Sequence, residues 1–201
     1  PHGPALDLGT GTAAIPLILT ARGAKKLTAV EFNPVMADIA RRNVAINGRD
    51  DRITLVEGDY RRSRDWAASG AFAAVYANPP YREKGRGAYS DVDGIRRACH
   101  EETATLGDVL DAVKYALKYH GRFRMVHITE RLADILEAMR AHDIEPKVLQ
   151  MVHGRPDKKA KLFLVEGIRG GSQGLDVLPP LIVHNQDGSY SDAVNKLYGK
   201  L

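Results

Sequence analysis

Ala5-Leu-Asp-Leu-Gly-Thr-Gly-Thr-Ala-Ala14 is the stretch on which the fold turns. Ala5 to Leu8 reads as a short buried strand that runs into glycines. Ala13 to Arg22 then reads as a helix, with Pro16 tolerated in its first turn. Gly9 and Gly11 allow a tight turn and let a ligand approach with no Cβ in the way. The same alternation continues along the chain. Leu27 to Glu31 is a second strand. Pro34 opens a helix over Val35 to Asn47, closed by Gly48. Ile53 to Glu57 and Phe72 to Ala77 are the third and fourth strands. Thr103 to His120 reads as a long helix stopped by Gly121, Arg122 to Ile128 as a fifth strand, and Glu130 to His142 as another helix. Lys147 to Val152 and Lys161 to Val165 are late strands that fit an antiparallel pair. Gly167 to Gly174 reads as a flexible link, and the tail carries a turn at Asp187-Gly188. Alternating strands and helices predict a parallel α/β sheet with helices on both faces.

Composition narrows the function classes. The 201 residues suit one domain, and 44% are hydrophobic, enough for a sizeable core. A net charge of +4 permits a polyanionic partner without demanding one. Cys99 is the single cysteine, so no intrachain disulfide can form, which fits a reducing cytoplasm. There is no apolar run of the roughly 18 residues a membrane span needs. No spacing suits a metal site, so neither membrane nor metal is expected.

The chemistry is concentrated in Asn78-Pro79-Pro80-Tyr81, directly after the fourth strand. Two prolines fix two φ angles and remove two backbone donors. The Asn78 side-chain carbonyl and the Pro79 carbonyl are then placed to accept hydrogen bonds from something else, and Tyr81 offers a flat face beside them. Two acceptors and a ring suit a planar group bearing –NH2, such as the edge of adenine. Taken purely as structure, the motif is a rigid loop after a strand.

The Gly-rich turn needs the same weighing. A bare Gly-x-Gly-x-x-Ala also fits a dinucleotide site. Glu31 lies roughly 20 residues on, at the end of the second strand, where an acid can grip a ribose diol. Asp59, after the third strand, could accept from an adenine –NH2. As structure alone, Gly9 and Gly11 make a tight turn, Glu31 caps the helix after Pro34, and Asp59 is a surface acid. A nicotinamide dehydrogenase is the rival reading, but hydride transfer needs no Asn-Pro-Pro-Tyr.

With these residues in order, the sequence resembles the class I S-adenosylmethionine-dependent methyltransferases that act on an exocyclic or amide nitrogen. Their motif is (Asp/Asn/Ser)-Pro-Pro-(Tyr/Phe/Trp). The resemblance implies a Rossmann-like α/β fold, a mostly parallel seven-stranded sheet whose last strand is antiparallel, with helices on both faces. It implies that the Gly9-Thr10-Gly11 turn passes under the methionine part of S-adenosylmethionine. Asp7 would lie near the cofactor's amino group, Glu31 would bind its ribose and Asp59 its adenine. Asn78, Pro79, Pro80 and Tyr81 would hold the target. The reaction is then an in-line displacement at a sulfonium carbon, in which alignment is the enzyme's main task. Asn78 and Pro79 would accept the two amine hydrogens and free the nitrogen lone pair. Tyr81 would stack on the base, a contact worth ~1–3 kcal/mol.

Later motifs resemble the bacterial tRNA1(Val) adenine-N6 methyltransferase group more narrowly. These are Arg97-Ala-Cys-His-Glu101, Gly121-Arg-Phe123, Arg155-Pro-Asp-Lys-Lys-Ala-Lys161, Leu164-Val-Glu-Gly167 and the Leu178-Pro-Pro-Leu-Ile-Val-His184 tail. That group implies a tRNA substrate in the cytoplasm. Arg82, Lys84, Arg86, Arg96 and Arg97 cluster in the loop after the motif, and Arg155, Lys158, Lys159 and Lys161 form a second basic group. Each taken singly is a solvated charge; together they suit RNA phosphates. His100-Glu101 is a structural or target-side contact, and Cys99 is read as an incidental small residue. Relatives carry a segment ahead of the first strand. Only Pro1-His-Gly-Pro4 precedes Ala5, so the expectation is one catalytic domain over 1–201 that lacks its N-terminal segment. Two alternatives stay open: a protein glutamine-N5 methyltransferase, whose amide also presents –NH2, and a non-catalytic RNA-binding relative.

Overall fold

The computed structural model describes residues 3–79 and 105–200. Strands β1 (Ala5–Leu8), β2 (Leu27–Glu31), β3 (Ile53–Glu57) and β4 (Phe72–Ala77) have the bounds expected from the sequence. Helices α1 (Ala14–Ala21) and α2 (Pro34–Ile46) connect the first three, and a 3-10 turn covers Tyr60–Asp65. Then come α3 (Leu106–Ala116), β5 (Leu117–Ile128), α4 (Leu132–Ala141), β6 (Ile144–His153) and β7 (Ala160–Arg169). Two short strands, β8 (Asp176–Val177) and β9 (Leu181–Ile182), precede α5 (Asp192–Leu197).

All the strands join one sheet in the order β3-β2-β1-β4-β5-β7-β6-β8, with β9 also on β6. β1 to β5 pair in parallel. β7 is antiparallel to both of its neighbours, β5 and β6. The seven long strands are those the sequence predicts; β8 and β9 extend them by running parallel to β6 along its outer side.

Alternation along the strands sorts the side chains into two layers. Leu6, Leu8, Val30 and Val75 face a core shared with Val109, Leu110 and Val113 of α3 and Ile135 and Met139 of α4. Phe123 of β5 and Phe163 of β7, both wholly buried, anchor that layer, at about 3 kcal/mol each relative to exposure. Ala5, Leu27, Ala29 and Ala74 face the opposite way, toward Ala40 and Val44 of α2. Small residues on that side let the helices approach closely.

Local chemistry explains the helix starts. Asn33 Oδ1 accepts from the amides of Val35 at 2.9 Å and Met36 at 3.2 Å, and Pro34 occupies the first helical turn. Thr105 and Asp108 form a reciprocal capping box at the head of α3.

Two sequence expectations are corrected here. The helix expected to reach His120 ends at Ala116, because Leu117 already pairs with Phe72. The pairing register then jumps from Phe72–Leu117 to Ala74–Arg122, so Lys118 to Gly121 bulge out. Gly121 is required there: a Cβ would lie 2.7 Å from the Leu117 side chain. The link expected from Gly167 starts later as well, since Gly167 to Arg169 belong to β7 and Gly167 sits buried against Ile144 and Met139.

Candidate active site

The strand order reverses direction at β1 and β4. The chain proceeds outward from β1 to β2 and β3, then returns to place β4 on the other flank. In such open sheets ligands bind at the carboxyl ends of the strands, at this switch point. Leu8 is level with Ala77 and Ala77 with Met125. Gly9 and Asn78 therefore leave adjacent strands at the same level. The glycine turn and the Asn78-Pro79 stretch are thus brought together.

Gly9 and Gly11 have φ of +69° and +56°, a region that favours glycine. A Cβ built on Gly9 would meet nothing within 4 Å among the described residues. Ala13 also has a positive φ, 65°, immediately before α1.

Strand alternation aims Asp7 and Glu31 to the same side as Ala5, Leu27 and Ala29. Asp7 is 1% exposed. Its Oδ2 accepts from the Thr10 hydroxyl at 2.6 Å, and its Oδ1 has no hydrogen-bond partner among the described residues. Burial pushes the Asp7 carboxyl up to about 7; the Thr10 bond opposes this, and the Glu31 charge adds to it. A buried acceptor without a donor is costly, and this one lies under the glycine turn. Glu31 uses its two oxygens separately. Oε2 accepts from the Gly11 amide at 2.8 Å and Oε1 from the Asn33 amide at 3.0 Å. It thus ties the glycine turn to the start of α2.

Asp59 follows β3 on the same edge. Its Oδ1 accepts from the Arg61 amide at 2.9 Å, and its Oδ2 meets the Arg61 guanidinium at 2.6 and 2.8 Å. Burial by itself raises the Asp59 carboxyl, but the Arg61 hydrogen bonds and charge together hold it below its ordinary value. Phe32, directly after Glu31, is half-exposed, with the Arg61 guanidinium 5.9 Å from its ring centre. The sequence reading passed over Phe32. The available signal was an aromatic residue directly after a strand-ending acid.

Asn78 is exposed and Pro79 is half-buried at the end of β4. Pro80, Tyr81, Arg82, Lys84, Arg86, Arg96 and Arg97, with Cys99 and His100, lie outside the described residues. β5 runs past β4 and brings His127 to this edge, where it is 4% exposed. Burial and then the Arg131 charge hold its imidazole below the ordinary value. His127 Nδ1 accepts from the Ile128 amide at 2.9 Å, which leaves the ring proton on Nε2. The sequence reading did not single out His127, although its period-2 spacing from Phe123 and Met125 marks it as inward-facing.

Arg155, Lys158 and Lys159 occupy the β6–β7 turn and are exposed. The register decides which end of the sheet that turn occupies. Ile128, the last residue of β5, faces Leu162, near the start of β7, and Leu162 faces Val152 near the end of β6. The turn is therefore on the same carboxyl edge as Gly9 and Asn78. Lys158 pairs with Asp157 at 3.1 Å. Among the described residues no cluster of His, Cys, Asp or Glu could hold a metal ion, and no helix is long and apolar enough to cross a membrane.

Comparison with known proteins matches this architecture. A family model described as a methyltransferase domain matches residues 5–84. A tRNA1(Val) (adenine(37)-N6)-methyltransferase of Porphyromonas gingivalis is 30% identical over 192 residues, covering 92% of this chain and 74% of that protein. A protein of the same name from Aeromonas salmonicida is 28% identical, covering 93% and 77%. Among solved structures, a "predicted O-methyltransferase" of Agrobacterium tumefaciens has a TM-score of 0.77 at 23% identity, over 98% of this chain and 89% of its own. The geranyl diphosphate C-methyltransferase of Streptomyces coelicolor, solved with S-adenosyl-L-homocysteine, has a TM-score of 0.60 at 14% identity, over 83% and 72%. At those identities the structural likeness shows the fold alone. The sheet order, the glycine turn at its switch point and the relatives along nearly the whole chain agree: the chain belongs to the class I S-adenosylmethionine-dependent methyltransferases, in the family of the bacterial tRNA1(Val) adenine-N6 methyltransferases.

Proposed function

We propose that the protein transfers a methyl group from S-adenosylmethionine to the exocyclic N6 amine of an adenine in a tRNA. The observation that carries this is the juxtaposition at the switch point. The Asn78-Pro79 end of β4 lies beside a glycine turn that stands over a buried, half-partnered carboxylate.

The residues present suit the cofactor. The Asp7 carboxylate, with one oxygen lacking a donor among the described residues, suits the ammonium of the methionine part. Among the described residues nothing crowds Gly9, which leaves room for its chain. Glu31 keeps lone pairs for the ribose hydroxyls after receiving the Gly11 and Asn33 amides. Asp59, with Phe32 beside it, serves the adenine. The Asp59–Arg61 pair holds that carboxylate ionised and orients it. When bound, S-adenosylmethionine supplies an electrophilic methyl on a sulfonium, which is already a good leaving group.

The chain's own work is alignment. Asn78 and the Pro79 carbonyl accept the two amine hydrogens of the target base, drawing the nitrogen lone pair out of the ring. Tyr81 stacks on that base. No ionised base is needed to start the transfer, because the proton leaves after the new bond forms. Arg155, Lys158 and Lys159 line the same edge and take phosphates of the RNA. That basic turn favours RNA over a protein glutamine as substrate.

The test is incubation with labelled S-adenosylmethionine and total tRNA, followed by nucleoside analysis. Label in N6-methyladenosine is expected. Label confined to protein glutamine moves the reading to the amide class, and label in guanosine removes the adenine assignment.

Two further results follow from the same assignment. Folding leaves the Asp7 carboxyl more basic than in the unfolded chain, so its ionisation opposes folding between about pH 4 and 7. A bound ammonium reverses this by favouring the carboxylate. Cofactor affinity should therefore climb as pH rises from about 5.5 toward 7 and then level off. Calorimetry across that range should show a proton released on binding, and Asp7→Asn should flatten the profile. A wild-type profile already flat would take Asp7 out of contact with the ammonium. Electrostatics gives the second result. Replacing Arg155, Lys158 and Lys159 together with Ala should reduce the slope of log affinity for tRNA against log salt by up to about three units, roughly one per phosphate. An unchanged slope would place the β6–β7 turn off the RNA path.

A further inference from the structure

The tail after β9 builds a feature that methyl transfer does not use. His184 and Tyr190 stack with ring centres 5.0 Å apart and planes tilted by 21°. Tyr198, at the end of α5, stands 5.8 Å from Tyr190, and Lys200 Nζ lies 5.8 Å from the Tyr198 ring centre. Burial does not explain the series. Tyr190 is 43% exposed and Tyr198 65%.

Backbone bonds lock this series beside the basic turn. The Val183 amide donates to His153 O at 2.9 Å, and the His184 amide to Gly154 O at 3.0 Å. The antiparallel bridge between His184 and Tyr190 closes a short turn over Asn185 to Ser189. His184 and Tyr190 therefore continue the carboxyl edge of the sheet past Arg155, Lys158 and Lys159, while Tyr198 follows Leu197, whose carbonyl accepts from the Arg22 guanidinium at the end of α1 at 2.6 Å. Acids lie nearby as well: Asp157 pairs with Lys158, Asp187 Oδ1 accepts from both the amide and the hydroxyl of Ser189, and Asp192 stands exposed in the first turn of α5.

We infer that the His184–Tyr190–Tyr198 ring series is a stacking platform for unpaired bases of the RNA substrate, next to the phosphate-binding turn. The inference rests on the RNA reading of the active site and extends it. Exposed rings interleaved with cations are what single-stranded nucleic acid needs, since every base has a π face and every phosphate a charge. Counted in strands, the His184–Tyr190 end of the platform lies four steps from β4, through β5, β7, β6 and β9. At ~4.8 Å per step this is roughly 19 Å. A base splayed toward Asn78 comes from an unpaired loop, and the platform holds neighbouring unpaired nucleotides of the same RNA across the edge.

The experiment measures binding of dye-labelled unmodified tRNA, and of a short unpaired RNA oligomer, by fluorescence anisotropy. The proteins compared are wild type, Tyr190→Ala, Tyr198→Ala, Tyr198→Leu and the two Tyr→Phe variants. Each Ala variant, and Tyr198→Leu, should weaken binding of both RNAs by about five- to a hundredfold. Both Phe variants should bind as wild type, because the ring is what stacks. The KM for tRNA should rise with the same pattern, while affinity for S-adenosylmethionine stays at the wild-type value. Circular dichroism checks the fold, and Tyr198→Leu separates stacking from simple apolar cover. Wild-type RNA affinity in the Ala variants, with wild-type protein still methylating tRNA, overturns the platform and leaves the proposed activity standing. Failure of the wild type both to bind and to methylate RNA overturns both. A Tyr198→Ala variant that loses self-association in sedimentation but keeps RNA affinity overturns the platform in favour of contact between copies of the chain.

Discussion

Asn78→Ala should lower turnover by about 10²- to 10³-fold while leaving affinity for S-adenosylmethionine close to wild type. Asn78 stands one residue past the end of β4, exposed at the mouth of the switch point. On the proposed assignment it touches the target amine and not the cofactor. Its carbonyl contributes most when the nitrogen begins to lose its ring conjugation. The loss should therefore fall on kcat more than on binding. Single-turnover methyl transfer, paired with calorimetry of the cofactor, separates the two. Collapse of cofactor affinity in this variant would move Asn78 to the other half of the site.

Glu31→Ala should show the converse pattern, with affinity for S-adenosylmethionine falling about ten- to a hundredfold. Hydrogen bonds to a charged acceptor contribute ~1.5–3 kcal/mol each. Glu31 also bridges the Gly11 and Asn33 amides, so its removal leaves two backbone donors unpaired and loosens the glycine turn. The two effects can be separated. Glu31→Gln keeps an acceptor for one amide but not the charge, and should recover stability more than affinity. Equal cofactor affinity in wild type and Glu31→Ala, measured calorimetrically, would assign ribose recognition to another residue.

The first four strands were legible because each is a short apolar run closed by strong punctuation: Gly9, Asn33-Pro34, Gly58 and Asn78-Pro79. The placement of Gly9, Glu31, Asp59 and Asn78 at or just past strand ends was legible for the same reason. α3 was overextended because Leu117-Lys-Tyr-His120 carries no breaker, and only pairing of Leu117 with Phe72 shows that the helix has stopped. The Asp59–Arg61 pair was not legible, because it depends on a side chain folding back over two residues. Nor was the tail. Two-residue strands carry no period, and the stacking of His184, Tyr190 and Tyr198 arises only after β9 docks on β6.

The position of β7 governs the order in which the molecule can be assembled. β6 is made before β7, yet it reaches the sheet only through β7, which lies between it and β5. A chain emerging from the ribosome can complete the β3-β2-β1-β4-β5 half on its own. It then presents the bare edge of β5 until Arg169 has been synthesised. β6 can join only with or after β7, and the turn carrying Arg155, Lys158 and Lys159 links the two. The basic edge, the tail strands on β6 and the ring series beside them arrive together in the last step. A nascent or truncated chain can thus hold the glycine-turn half of the sheet without its basic edge, and present an open strand that invites aggregation.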